Sequence, residues 1–176
     1  MRTRLPDSRS ILQVYGVIAV MFAGWTMLAF MWKLSAWLLL LNLGEIFTIF
    51  SYAMAANFLE SLLLLAILLA ASALLPARIL RDHFVVRGTI LSVGLVAALV
   101  AFVGAEMWAE IRTNPGLLIV PLFVLVLTAV VLRLSSRLRV VSSAALWLSD
   151  RVTVFLFLLL PLFVILSTYV IFRNIS

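Results

Sequence analysis

The stretch NLGEIFTIFSYAMAANFLESL, Asn42 to Leu62, decides how this chain is threaded. It lies within a very apolar region, yet it carries two glutamates, Glu45 and Glu60, and two asparagines, Asn42 and Asn57. Asn42, Glu45, Thr48 and Tyr52 follow helical spacing and share one face, with Leu43, Phe47, Phe50 and Met54 opposite them. A helix of that pattern suits a membrane interface or a re-entrant hairpin. An ordinary crossing would bury Glu45 at a cost of several kcal/mol unless the carboxylate were partnered or protonated. The expectation is therefore an interfacial or re-entrant segment over residues 36–56.

Five further apolar runs are long enough to cross a hydrocarbon core of about 30 Å. They are Ile11–Met31, Phe58–Leu75, Gly88–Ala105, Leu117–Leu132 and Val152–Phe172. The chain is 66% hydrophobic and 11% charged. Soluble domains carry roughly 25% charged residues, so a water-soluble fold is excluded as the expectation. A barrel would alternate polar and apolar positions, and these runs do not. The predicted fold is an all-α polytopic transmembrane bundle forming a single domain, with five spans plus the 36–56 segment; six spans is the alternative.

The 13 basic residues arbitrate between the two threadings. With five crossings and the N-terminus in the cytoplasm, the basic head, the 76–87 loop and the 133–151 loop place ten of the 13 inside. Lys33, Arg112 and Arg173 remain outside. With six crossings and the same start, five lie inside and eight outside, against the positive-inside bias. The expected location is the cell membrane, multi-pass, with the N-terminus cytoplasmic. Ile11–Met31 exceeds the ~7–15 residues of a cleavable signal core and reads as an uncleaved first helix.

In that threading the four glutamates gather toward the outer face. Glu45, Glu60, Glu106 and Glu110 form a candidate carboxylate rim, able to bind a cation, accept a proton or hold a basic partner. For Glu106 and Glu110 the favoured reading is a solvated rim with one of them paired to Arg112, because exposed pairs are common and weak. Arg78, Arg81, Arg87, Arg133, Arg137, Arg139 and Arg151 fall in the cytoplasmic loops. Within residues 133–151, Leu134, Leu138, Val141, Ala145 and Leu148 recur at helical spacing, giving a basic amphipathic loop suited to anionic lipid. Small residues mark packing faces: Ala19 and Ala23, Ala66 and Ala70, and Ala97, Ala101 and Ala105 beside Gly94 and Gly104. Pro161 falls inside the last span and should kink it unless neighbours satisfy the freed carbonyl.

The chemistry available is narrow. There is no cysteine and a single histidine, His83, so thiolate and His-rich metal sites are not expected, and no cofactor is. No phosphate-binding glycine loop, zinc-protease motif or Ser-His-Asp set can be assembled. Nucleic acid is not an expected partner despite the net charge of +6, because the arginines cluster between apolar runs.

The residues NLGEIFTIFSYAMAANFLESLLLLAILLAASALLPARILRD, a polar-spotted helix leading into a leucine-rich span ending at Pro76 and a basic loop, resemble the membrane region of lipoteichoic-acid-synthase-type envelope enzymes with a sulfatase fold. That resemblance implies five helices with a non-crossing segment after the first. It carries no catalytic residue across, because that family's nucleophile and metal ligands lie in an extracellular domain. The function expected is a non-enzymatic membrane subunit or scaffold that docks a partner protein or lipid in the cell envelope. The alternatives are a small transporter or channel using Glu45 and Glu60 as proton or cation sites, and, with least support, a membrane enzyme acting on lipid. Expected partners are membrane lipids and other membrane subunits or further copies of the chain.

Overall fold

A computed structural model describes residues 6–74, 83–108, 119–135 and 137–175. Five helices follow one another: α1 (Ser8–Leu40), α2 (Leu43–Leu74), α3 (Phe84–Trp108), α4 (Ile119–Ser135) and α5 (Arg139–Ile175). No strand occurs among the described residues. Four of the helices are long and apolar enough to cross a membrane, and α4, with 17 residues, is shorter.

Each helix coincides with one of the expected spans over the described residues, but the segment between the first two is not an element of its own. Residues 36–40 complete α1, and residues 43–56 are the first half of α2. Residues 36–56 therefore form no separate helix; a two-residue turn at Leu41 and Asn42 joins α1 to α2 within them. The physical reason is a capping box. The Asn42 Oδ1 accepts from the Glu45 backbone N–H at 2.9 Å, and the Glu45 carboxylate accepts from the Asn42 N–H at 2.9 Å. Two N–H groups that a helix start leaves without partners are satisfied reciprocally, so α2 begins here. Asn42→Ala should cost about 1 kcal/mol and fray the first turn of α2. Faster hydrogen exchange at Leu43–Ile46, with the rest of α2 unchanged, is the expected readout.

The other start signals are local too. Asp7 caps α1, accepting from the Ser10 hydroxyl at 2.5 Å and from the Ser10 N–H at 3.4 Å. Those bonds, led by the Ser10 hydroxyl, hold the Asp7 carboxyl below its ordinary range. The basic loop expected over 133–151 is also redistributed. It supplies the end of α4, a short turn, and the first third of α5, which runs without interruption from Arg139 through Pro161 to Ile175. The helical spacing read there is real, but it belongs to a long helix rather than to a separate surface segment.

At 1.5 Å per residue, α1 and α2 are each about 50 Å long and α5 about 55 Å. They run antiparallel in sequence, so the bundle has two ends. The basal end holds the starts of α1, α3 and α5; the distal end holds the α1–α2 turn and the C-terminus of α5. α1 is the central helix, packed against α2, α3 and α5, whereas α4 leans mainly on α3.

What the bundle buries differs from a water-soluble core. Ser51, Asn57, Ser61, Ser72, Thr89, Ser92 and Ser149 are buried, while Leu28, Leu39, Leu59, Phe123, Phe157 and Ile165 are exposed. Small polar side chains turned inward and large apolar ones outward suit a lipid solvent, where helices associate by close packing and hydrogen bonds rather than by hiding hydrocarbon. Ala19 and Ala23 lie in that interior with Tyr15, Met54, Leu156 and Phe163. Ala66 and Ala70 are exposed. A Cβ at Gly16 would come 3.2 Å from the Thr153 backbone, which marks a close approach of α1 and α5.

Candidate functional site: the polar seam and the α2–α3 cleft

α2 presents its polar residues along one face to α1. The Thr26 hydroxyl donates to Asn57 Oδ1 at 3.1 Å, and Asn57 Nδ2 donates to the Phe22 carbonyl at 3.5 Å. One turn further, Tyr15 and Ser61 share a hydrogen bond of 3.4 Å. These bonds pin α2 to α1 at the level of Phe22 and Thr26, close to the centre of the first apolar run. Asn57 is itself buried.

Glu60 lies three residues beyond Asn57 and is exposed. It borders a cleft of about 340 Å³ with Phe22, Trp25, Thr26, Asn57, Leu99 and Val103. A more apolar hollow of about 390 Å³ continues past Glu60 along Leu63, Ile67 and Leu95. The cleft exists because α2 and α3 scarcely touch; α1 holds both and stands between them.

Two of the carboxylates expected to form one rim, Glu45 and Glu60, stand apart. Glu45 and Glu60 are on the same helix, 15 residues and therefore about 22 Å apart along the axis. Glu45 is engaged in the α2 cap. Glu60, placed by sequence at a span end, lies mid-bundle because α2 starts well before Phe58. Glu106 falls in the last turn of α3, and Glu110 lies outside the described residues. Among the described residues, no three His, Asp or Glu side chains are grouped to hold a metal ion.

The polar face of early α2 has a protein partner that sequence spacing could not reveal. The Arg173 Nη1 donates to the Thr48 hydroxyl at 2.8 Å and to the Tyr169 hydroxyl at 3.0 Å. The Tyr52 hydroxyl donates to Asn174 Oδ1 at 2.5 Å. The distal halves of α2 and α5 are thus laced together. At the basal end, Gln13 Nε2 donates to Asp150 Oδ1 at 2.5 Å, tying α1 to α5.

Of the expected lipid-facing cations, Arg87, Arg137 and Arg139 line one basal pocket together with His83. Arg133 and Arg151 lie exposed on α4 and α5, and Arg78 and Arg81 are outside the described residues. Compared with known proteins, the chain matches no family model, no curated protein and no solved structure. The geometry defines its class: a helical bundle built for a membrane.

Proposed function

We propose that the chain is a non-enzymatic subunit of the cell membrane that receives a transmembrane helix of another chain in the cleft between α2 and α3. The observation that carries this reading is Glu60, an exposed carboxylic side chain halfway along an apolar helix, beside an open cleft. An ionised side chain at mid-bilayer costs about 2.5–3.5 kcal/mol on insertion scales, and such residues are kept where they meet a partner. A helix entering the cleft would bury Leu99 and Val103 against apolar residues and bring a hydrogen-bond donor, from Arg, Lys, Asn or Ser, to Glu60.

The arginine distribution supports a cytoplasmic basal end. Arg9, Arg87, Arg133, Arg137 and Arg139 cluster there among the described residues, against Lys33 and Arg173 toward the distal end. The cleft then opens toward the lipid at mid-depth.

A second reading takes Glu60 as the proton or cation site of a small transporter, because Thr26 and Asn57 line the same cleft. Glu45 drops out of that reading, since its carboxylate is used in the cap.

The test compares wild type with Glu60→Leu and Glu60→Gln, extracted with surrounding lipid in polymer discs and matched for folded protein. Stoichiometric co-purification of one defined membrane chain, lost in Glu60→Leu and partly kept in Glu60→Gln, is the expected result. A monomer with identical company in all three forms overturns the subunit reading. Proton uptake by liposomes containing the isolated chain, abolished in Glu60→Gln, would establish the transporter instead.

A further inference from the structure

The basal pocket and the groove above it make a composite site whose parts match the parts of a phospholipid. The pocket, about 420 Å³, lies between the starts of α3 and α5 and the end of α4. Arg87, Arg137 and Arg139 bring three positive charges to it. Helices α3 and α5 both begin there, and helix starts present N–H groups and positive potential to anions.

An apolar groove of about 500 Å³ runs on from this pocket between α3, α4 and α5. Its walls include Val93 and Ala97 from α3, Val124 and Val131 from α4, and Ala144 and Leu148 from α5. The pocket and the groove are adjacent on both shared helices: Arg87 and Thr89 are two residues apart, and Val141 and Ser142 are neighbours. The groove stays open because α4 packs on α3 and only lightly on α5.

Thr89 supplies an independent observation. It lines the groove, is 1% exposed, and its hydroxyl has no hydrogen-bond partner among the described residues. Neighbouring hydroxyls bond back to their own helix, as Ser92 does to the Gly88 carbonyl at 2.7 Å and Thr128 to the Val124 carbonyl at 2.7 Å. A buried hydroxyl without a partner carries a desolvation penalty that an acceptor would relieve. Two residues along α3 is about 3 Å deeper than Arg87. The Thr89 hydroxyl thus lies on the groove side of the arginines, where it would donate to an ester carbonyl of a lipid whose phosphate they held.

We infer that this site binds one anionic phospholipid from the leaflet at the basal end, with its phosphate at Arg87, Arg137 and Arg139 and an acyl chain in the α3–α4–α5 groove. The charge selects the headgroup, and the groove selects a lipid over free phosphate. The inference does not rest on the docking of a helix at Glu60, which lies in a different cleft.

Native mass spectrometry of the full chain released from detergent tests it, with phosphatidylglycerol, phosphatidylcholine and inorganic phosphate as probes. One phosphatidylglycerol should be retained in preference to phosphatidylcholine. Arg137→Gln with Arg139→Gln should weaken retention roughly tenfold or more, from the loss of two cations at the headgroup. Ala144→Phe, an exposed position whose ring fills the groove, should also weaken it, and Arg151→Gln, outside the pocket, should not. Wild-type protein should also prefer dioleoyl- to dihexanoyl-phosphatidylglycerol, a comparison that needs no variant. Equal retention of the two headgroups, indifference to chain length, or competition by inorganic phosphate at lipid concentrations would overturn the proposal. So would unchanged retention in a folded Ala144→Phe, which would reduce the arginines to diffuse attraction for an anionic surface.

Discussion

Gly94→Ala is expected to loosen α4 from the bundle, although it adds one methyl group. The new Cβ would collide with the Thr128 Oγ1 and Cγ2, and it would stand 2.7 Å from the Thr128 Cβ. Thr128 cannot swing away cheaply, because its hydroxyl is held by the Val124 carbonyl at 2.7 Å. One of the two helices must move, and overpacking of this kind costs about 1–3 kcal/mol. The upper part of that range applies, because α4 has no other extensive contact to share the strain. Thr128→Gly should restore stability in the Gly94→Ala background. Thr128→Ala should not, since it leaves the offending Cβ in place. Unfolding in mixed micelles, followed by helical circular dichroism for wild type, Gly94→Ala, Thr128→Gly and the double variant, gives the coupling between the two sites. Additive effects would show that α3 and α4 do not meet at this pair.

The second large effect is expected from Phe163→Ala. Phe163 is fully buried, in the cluster with Tyr15, Ala19, Met54 and Leu156, and its ring lies 5.6 Å from that of Phe58. It therefore joins α5 to both α1 and α2. In a membrane the separated helices already sit in hydrocarbon, so the transfer contribution largely cancels and the cavity remains. A void of ~100 Å³ at ~24 cal/mol per Å³ costs about 2 kcal/mol. Phe163 also lies two residues after Pro161, whose missing N–H leaves the Phe157 carbonyl without its helical donor. Packing around Phe163 supports α5 where its own ladder is interrupted. Phe163→Leu should recover about half of the loss, read in the same micelle unfolding experiment. No loss in Phe163→Ala would mean that α5 does not close on α1 and α2 as described.

That the chain folds into several long apolar helices was legible because each needs only composition and length. Residues 11–31, 88–105 and 152–172 fall wholly inside α1, α3 and α5. Where α1 stops was not read correctly, because an apolar run longer than a bilayer looks alike whether it lies flat or extends a helix. The signal that resolves it, Asn42 followed three residues later by Glu45, was present in the quoted stretch. It was read instead as part of a polar face. That face is real, but its partners Tyr169, Arg173 and Asn174 lie more than 110 residues away in sequence, beyond the reach of helical spacing. The depth of Glu60 was misplaced for the same reason as the end of α1, since both follow from where α2 begins. The α3–α4–α5 groove had no local signature, because it depends on how loosely α4 and α5 meet.

The central place of α1 sets a problem for biosynthesis. It is the first of the five helices to leave the ribosome, yet its interior face is completed by α5, the last, through Gly16 at Thr153 and Gln13 at Asp150. Until α5 arrives, Thr48 and Tyr52 also lack the C-terminal residues that engage them. A nascent chain stalled after α4 therefore displays an unfinished polar stripe to the lipid, the kind of surface that insertion machinery shelters and membrane proteases recognise. Completion of the bundle is thereby tied to translation of α5.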